Sequence, residues 1–126
     1  MTGERALLNF GHTIGHAIER VGDYRSFLHG EAVSLGMVAA CEISVRKAGL
    51  PEEARASVVR TLDAFELPTR LPADFPKTKI LDAVAFDKKF AQGEVRFVVV
   101  PEIGSARLVE DVTLADIEAA VADLYR

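Results

Sequence analysis

The chain of 126 residues contains no tryptophan, a single cysteine and few aromatic residues, and each shortage limits what the protein can be. Because Cys41 has no second cysteine with which to form an internal disulfide, we expect a protein of the reducing cytoplasm. An aromatic content of 7% beside a hydrophobic content of 49% is typical of helices packed through Ala, Val and Leu.

Long apolar segments and excess positive charge are also missing. The longest apolar run, from Ala32 to Cys41, is much shorter than the roughly 20 residues that a membrane-spanning helix needs. The residues after Met1 are polar and charged, so they do not resemble a signal peptide. A formal net charge of −4 argues against non-specific binding to nucleic acid. We therefore expect a soluble protein that binds neither a membrane nor nucleic acid.

Hydrophobic spacing predicts a mainly α fold, a helical bundle-like domain of about five helices with one short β-hairpin. The predicted helices cover residues from near 7 or 11 to 21, about 29–47, 51 to about 67, about 77–89, and the stretch after 113, and the predicted strands lie within 95–100 and 106–109. The second helix is apolar almost all round, which predicts a position at the centre of the domain.

Several local details of these elements are also predicted. Pro51 suits the first position of the third helix, and Thr113 with Asp116 is typical of a capping pair. Helical spacing places Phe65, Ala85 and Leu114 on the apolar faces of the third, fourth and fifth helices.

All three histidines of the protein lie within a stretch of 18 residues. His12 and His16 are four residues apart, which puts both imidazoles on one face of a helix. His29 follows a short polar break and begins the second helix, so it can lie beside the other two. Imidazole is the commonest neutral metal ligand and titrates near neutral pH, so the cluster indicates a metal site or an acid–base site. The alternative is that these histidines are terminal or core residues bonded to the backbone.

Two ligand sets are compatible with this spacing. All three histidines could bind one ion and leave an open position, as in many catalytic zinc sites. Alternatively, His12 and His29 could bind the ion with a carboxylate, of which Glu19 and Glu31 are the nearest, leaving His16 free for proton transfer. Glycine costs about 1 kcal/mol inside a helix, so the glycines between the histidines indicate that a ligand or another segment approaches closely.

Two polar groups are further candidates for ligand binding. Arg5 and Asn9 lie one helical turn apart just ahead of His12 and could bind an anion near the start of the helix. Lys88 and Lys89 lie at a helix–loop junction. Ordinary solvation is the alternative explanation for both groups.

Taken together, the segments 8–19, 28–33, 36–37, 86–89, 96–99 and 103–104 resemble 3-dehydroquinate synthase, in the order found in that family and over nearly the whole chain. The first of them reads Leu-Asn-Phe-Gly-His-Thr-Ile-Gly-His-Ala-Ile-Glu. The chain resembles only the C-terminal, metal- and substrate-binding domain, so we expect one domain over residues 1–126 without the NAD-binding domain.

The resemblance implies a lyase of the shikimate pathway of aromatic amino acid biosynthesis, which converts 3-deoxy-D-arabino-heptulosonate 7-phosphate to 3-dehydroquinate and phosphate. It implies that His12 and His29 bind zinc or cobalt and that the third ligand is a glutamate well before this motif. It also implies that NAD is bound mainly by the other domain. His16 would contact the phosphate and assist proton transfer. Arg5 and Asn9 would bind the substrate, as would Lys88 or Lys89, and both lysines are candidate catalytic residues.

Other interpretations remain open. The chain could belong to a related sugar-phosphate cyclase or, less in keeping with the histidine motif, to a metal-dependent alcohol or glycerol dehydrogenase. It could also be a non-catalytic helical domain that dimerises. For the enzyme we expect a homodimer, and for the chain by itself we expect no activity.

Overall fold

The computed structural model describes residues 10–23, 25–85 and 97–125. In these ranges the fold consists of five α-helices and a two-stranded antiparallel hairpin. The elements in chain order are α1 (His12–Val21), α2 (His29–Lys47), α3 (Glu52–Ala64), α4 (Lys77–Ala85), β1 (Phe97–Glu102), β2 (Ser105–Val109) and α5 (Leu114–Asp123). The predicted mainly α fold with one short hairpin is thereby confirmed.

Helix α2 lies at the centre of the fold and contacts α1, α3, α5 and β1. Its middle is buried on nearly every side, with Leu35, Ala39 and Ile43 no more than 1% exposed. Because the helix is apolar almost all round, a central position is the arrangement that removes most of its surface from water.

Helices α1 and α2 cross so closely that their backbones touch at glycines. A Cβ atom added to Gly36 would lie 2.0 Å from the carbonyl oxygen of Gly11 and 2.7 Å from the nitrogen of Gly15. Gly11 also has a φ of 81°, which other residues rarely adopt. The glycines in α1 indicated that another segment approaches closely, and that segment is α2. The contact fixes the start of α2 beside α1.

The other end of α2 is joined to the hairpin and to α5 by polar side chains. The buried Ser44 hydroxyl donates to the carbonyl of Ala40 at 2.8 Å and accepts a hydrogen bond from the backbone of Val100 at 2.9 Å. Lys47 Nζ donates to the carbonyl of Asp111 at 2.8 Å and to a carboxylate oxygen of Asp116 at 3.2 Å. These bonds hold the hairpin and the start of α5 against the helix.

Four local predictions differ from the structure. Pro51 precedes α3 as its N-cap instead of occupying the first helical position. Phe65 is 73% exposed because α3 ends at Ala64 and the chain turns at Glu66, whose φ is 60°. Ala85 is exposed at the end of α4.

Leu114 is the fourth difference: it is 39% exposed because it opens α5, before the helix reaches the core at Ile117. The Thr113–Asp116 cap is confirmed, since each residue bonds to the backbone nitrogen of the other at 3.2 and 2.9 Å. Among the described helices, no segment is both long and apolar enough to cross a membrane.

Candidate metal centre

The three histidines meet where α1 and α2 begin. His12 is the first residue of α1 and His16 lies one turn later, with their ring centroids 5.3 Å apart. His29 is the first residue of α2, and its ring centroid lies 6.2 Å from that of His12 and 6.3 Å from that of His16. Since the glycine contacts fix how α1 and α2 cross, the packing of the fold brings these rings together.

The rings differ in their exposure to solvent. His12 is half-buried, whereas His16 and His29 are exposed. A molecule in solvent can therefore contact His16 and His29 more readily than His12.

A carboxylate lies behind the third ring. Glu19, on the last turn of α1, is only 8% exposed, and its Oε1 atom is 3.0 Å from Nδ1 of His29. An ionised carboxylate can only accept a hydrogen bond, so this contact favours the tautomer in which Nδ1 carries the proton and donates it. In a neutral imidazole the lone pair then lies on Nε2, the nitrogen that remains for a metal ion.

The electrostatics of the cluster favour a neutral His12. Burial lowers the pKa of His12 below its ordinary value of 6.5, and the nearby His16 and His29 lower it further, whereas Glu19 acts in the opposite direction. A neutral imidazole has a free nitrogen lone pair, so His12 is in the form that binds a metal ion at neutral pH.

The distances are compatible with two imidazole ligands on one divalent ion. Zinc–nitrogen bonds are about 2.0–2.1 Å, so two rings that share an ion have centres roughly 5–6 Å apart. The separation of 5.3 Å between His12 and His16 lies within that range and the 6.2 Å between His12 and His29 lies just above it, so ring spacing by itself does not select the pair. The Glu19–His29 pair also has the form of the carboxylate–histidine pairs that commonly support metal ligands.

The described residues place no third protein ligand next to these two. Within residues 10–23, 25–85 and 97–125, no three His, Cys, Asp or Glu side chains are arranged to hold a metal ion. The geometry therefore does not favour the alternative in which all three histidines bind one ion. It leaves the alternative of two imidazole ligands with the third imidazole beside them.

The two carboxylates that were considered as ligands have other partners. Glu31 accepts a hydrogen bond from the backbone nitrogen of Leu28 at 2.8 Å and so caps the start of α2. Glu19 is hydrogen-bonded to His29.

Four other residues were predicted to bind the substrate. Arg5 and Asn9 precede the first described residue, and Lys88 and Lys89 lie between residues 85 and 97, so all four are outside the described part of the chain. Their roles stay predictions.

The sequence also contains a signal that places Glu19 beside the histidines. His12, His16 and Glu19 are spaced i, i+4 and i+7, which places all three on one face of a helix. A carboxylate on the same face as two imidazoles is available to a third imidazole that packs against that face.

Comparisons with known proteins support one family. Residues 2–90 match the family model described as 3-dehydroquinate synthase C-terminal. The chain is 42% identical over 120 residues to the 3-dehydroquinate synthase of Dichelobacter nodosus, a match that covers 95% of this chain and 32% of the relative. It is 47% identical over 104 residues to the 3-dehydroquinate synthase of Halorhodospira halophila, which covers 82% of this chain and 29% of that relative. The chain thus spans about a third of the length of these relatives.

Solved structures of related enzymes have the same fold. The 2-epi-5-epi-valiolone synthase of Streptomyces hygroscopicus, solved with NAD+ and Zn2+ bound, matches 94% of this chain and 32% of its own with a TM-score of 0.78 and 28% identity. A 2-deoxy-scyllo-inosose synthase matches 91% of this chain and 32% of its own with a TM-score of 0.74 and 23% identity, which supports the fold alone.

Proposed function

The chain belongs to the 3-dehydroquinate synthase C-terminal family, and from this premise we propose that it forms the metal- and phosphate-binding part of such an enzyme. The observation that carries the proposal is the convergence of His12, His16 and His29 where two helices begin, at ring separations of 5.3 to 6.3 Å. The resemblance and the carboxylate bonded to His29 support His12 and His29 as the two ligands of a shared divalent ion, with His16 exposed to solvent beside them.

In this proposal His12 and His29 hold a zinc or cobalt ion. When bound, the ion supplies Lewis-acid chemistry: it stabilises negative charge that develops on a substrate oxygen. The lowered pKa of His12 supports this role, because the ring does not have to lose a proton before it binds the ion at neutral pH. The related valiolone synthase, which is 28% identical, was solved with Zn2+ bound.

His16 has a separate role in this proposal. Its ring is exposed 5.3 Å from that of His12, where a substrate phosphate can reach it, and the resemblance assigns it to the phosphate instead of the metal. A histidine in contact with the departing phosphate stabilises its charge and can hold or pass on a proton. By resemblance, Arg5 and Asn9 contribute further contacts to the substrate, as does Lys88 or Lys89.

The proposed substrate is 3-deoxy-D-arabino-heptulosonate 7-phosphate, and the proposed products are 3-dehydroquinate and phosphate. The support is the identity of 42% and 47% to relatives named 3-dehydroquinate synthase, compared with 28% for the valiolone synthase. Because this chain spans about a third of each relative, we propose that turnover and NAD binding require the remainder of the enzyme.

The test is complementation of the catalytic reaction. The chain is joined to the part of the Dichelobacter nodosus relative that precedes the matched region, or mixed with that part produced separately. With NAD and zinc, we expect phosphate release from 3-deoxy-D-arabino-heptulosonate 7-phosphate, whereas the chain and the added part are each inactive alone.

Two outcomes would contradict this function. Phosphate release from another phosphorylated sugar, but not from this one, would favour a related sugar-phosphate cyclase, the second candidate that the match to the valiolone synthase supports. A chain that self-associates, binds no zinc and restores no activity would favour a non-catalytic helical domain.

A further inference from the structure

Glu19 is a buried carboxylate that the proposed ligand set does not use. Its side chain is 10% exposed, whereas the side chain of its partner His29 is 63% exposed. Burying a charged group is costly unless it receives hydrogen bonds, so the buried carboxylate needs the proton that His29 Nδ1 offers at 3.0 Å.

The exposed ring gains a fixed orientation from the same contact. His29 is the first residue of α2, and a side-chain exposure of 63% leaves its ring room to rotate. Glu19 belongs to α1, which is fixed against α2 by backbone contacts at Gly15 and Gly36. The bond to Glu19 therefore holds the exposed ring against a rigid part of the fold.

The bond also selects one tautomer of the neutral ring. In water a neutral histidine prefers the proton on Nε2, which leaves the lone pair on Nδ1. A carboxylate acceptor at Nδ1 reverses that preference, because it binds only the tautomer with a proton on Nδ1. Nε2 then carries the lone pair before any ion arrives.

We propose that Glu19 is a positioning residue for His29: it fixes the ring and its Nδ1-protonated tautomer, so that Nε2 is ready to bind the metal ion. Glu19 is not itself a ligand in this account. The inference rests on the proposed metal site, but the state of His29 that it describes exists in the metal-free chain and can be measured there.

The first measurement is the tautomer of His29 in the metal-free chain, read from the nitrogen chemical shifts and couplings of the imidazole at a pH where the ring is neutral. We expect the proton on Nδ1 in the wild type. In Glu19→Gln, whose amide has the same shape but a weaker acceptor and a competing donor, we expect a shift toward the proton on Nε2. In the matched control Glu31→Gln, which alters a carboxylate that caps α2, we expect no change in the tautomer.

The second measurement is zinc affinity, made on the chain joined to the preceding part of the relative. Loss of a supporting carboxylate typically costs about 10- to 100-fold in metal affinity, and we expect a weakening of that size in Glu19→Gln. Glu19→Asp keeps the charge but shortens the reach, so we expect a partial recovery. Glu31→Gln should bind zinc like the wild type.

A proton on Nε2 of His29 in the wild-type chain would overturn the inference, and this result needs no variant to fold. An unchanged tautomer and affinity in Glu19→Gln would also overturn it, while leaving the metal site itself intact. The converse result, a tautomer that depends on Glu19 in a protein whose wild type binds no zinc, would contradict the proposed function and leave the positioning contact standing.

Discussion

The two ends of helix α2 use their polar side chains differently. At the C-terminal end, Ser44 and Lys47 bond to the backbone or to another side chain of the same domain, at distances of 2.8 to 3.2 Å. At the N-terminal end, His29 is bonded through one ring nitrogen to Glu19, and His16 beside it is exposed. The first end stabilises the fold, whereas the second end leaves nitrogen atoms available for a ligand.

The difference extends to how each end is held. The C-terminal end is joined to the hairpin and α5 by hydrogen bonds, and the N-terminal end is joined to α1 by direct backbone contact at glycines. Backbone contact holds the two helices together, so their packing does not depend on the imidazoles, while Glu31 in the same turn caps α2. A functional cluster can therefore sit on a rigid support.

The largest effect is expected at the glycine crossing. In Gly36→Ala the new Cβ would meet backbone atoms of Gly11 and Gly15 at 2.0 and 2.7 Å, so α1 must move away from α2. We expect a loss of about 3 kcal/mol in the free energy of unfolding, at the upper end of overpacking effects, measured by urea unfolding. We also expect weaker zinc binding, since the rings of His12 and His29 would separate.

The matched control for this change is Gly30→Ala in the same helix. A Cβ at Gly30 meets no atom within 4 Å, and alanine favours helix over glycine by about 1 kcal/mol in a helix interior. Its stability should be equal to or higher than that of the wild type. If the two variants lost equal stability, the close crossing would not be what fixes the histidines.

A smaller effect is expected at the opposite end of α2. Ser44→Ala removes the acceptor of the Val100 backbone nitrogen and leaves that buried group without its bond. A buried unsatisfied donor costs about 1–3 kcal/mol, which a urea unfolding curve will resolve. Zinc affinity should be unchanged, because Ser44 is far along α2 from His29. A loss of zinc binding in this variant would contradict the separation of roles between the two ends.

The exposed Ser57 on α3 supplies the control for this substitution. Ser57→Ala should change the free energy of unfolding by less than about 0.5 kcal/mol, as is usual at surface sites.

The smallest effect is a dependence of stability on pH. Its pH range differs between His12, beside the start of α2, and Asp116, which bonds to Lys47 at the other end of α2. The folded-state pKa of His12 is lowered by burial and by its histidine neighbours, so the unfolded chain binds a proton more readily below pH 6.5. The contribution of His12 to stability is therefore complete above the pKa that this residue has in the unfolded chain. It is lost as the pH falls through the lower pKa of the folded chain. Burial acts to raise the pKa of Asp116, but hydrogen bonds from Thr113 and Lys47 outweigh it, and the pKa lies below 3.8.

The contribution of Asp116 is thus lost in a separate, more acidic window than that of His12. We expect the fall of the melting temperature just below pH 6.5 to be absent in His12→Asn. The fall at more acidic pH should be absent in Asp116→Asn. Identical profiles for the two variants would show that the two groups titrate together and would contradict the assignment.

Most of the fold could be predicted because its signals are local. Gly49 ends α2 close to its predicted limit with a φ of 82°, and α2 itself spans His29–Lys47 as predicted. The errors at Phe65, Ala85 and Leu114 all lie at helix ends: Phe65 follows the last residue of α3, Ala85 is the last residue of α4, and Leu114 opens α5 before that helix reaches the core.

The site could be predicted only in part. Spacing was sufficient to place His12, His16 and His29 near one another, since it depends on helix geometry and a short connection. The contact between Glu19 and His29 could not be predicted from spacing alone, because it depends on how two helices cross, and the tight crossing is set by Gly36 on the second helix.

The most direct test of the account is a comparison of bound zinc and turnover in three single variants of the joined enzyme: His12→Ala, His16→Ala and His29→Ala. We predict that His12→Ala and His29→Ala lose both zinc and phosphate release. His16→Ala should retain its zinc and lose most of its turnover. Equal loss of zinc in all three variants, or full zinc content in His29→Ala, would contradict the claim that two imidazoles bind the ion while the third faces the substrate.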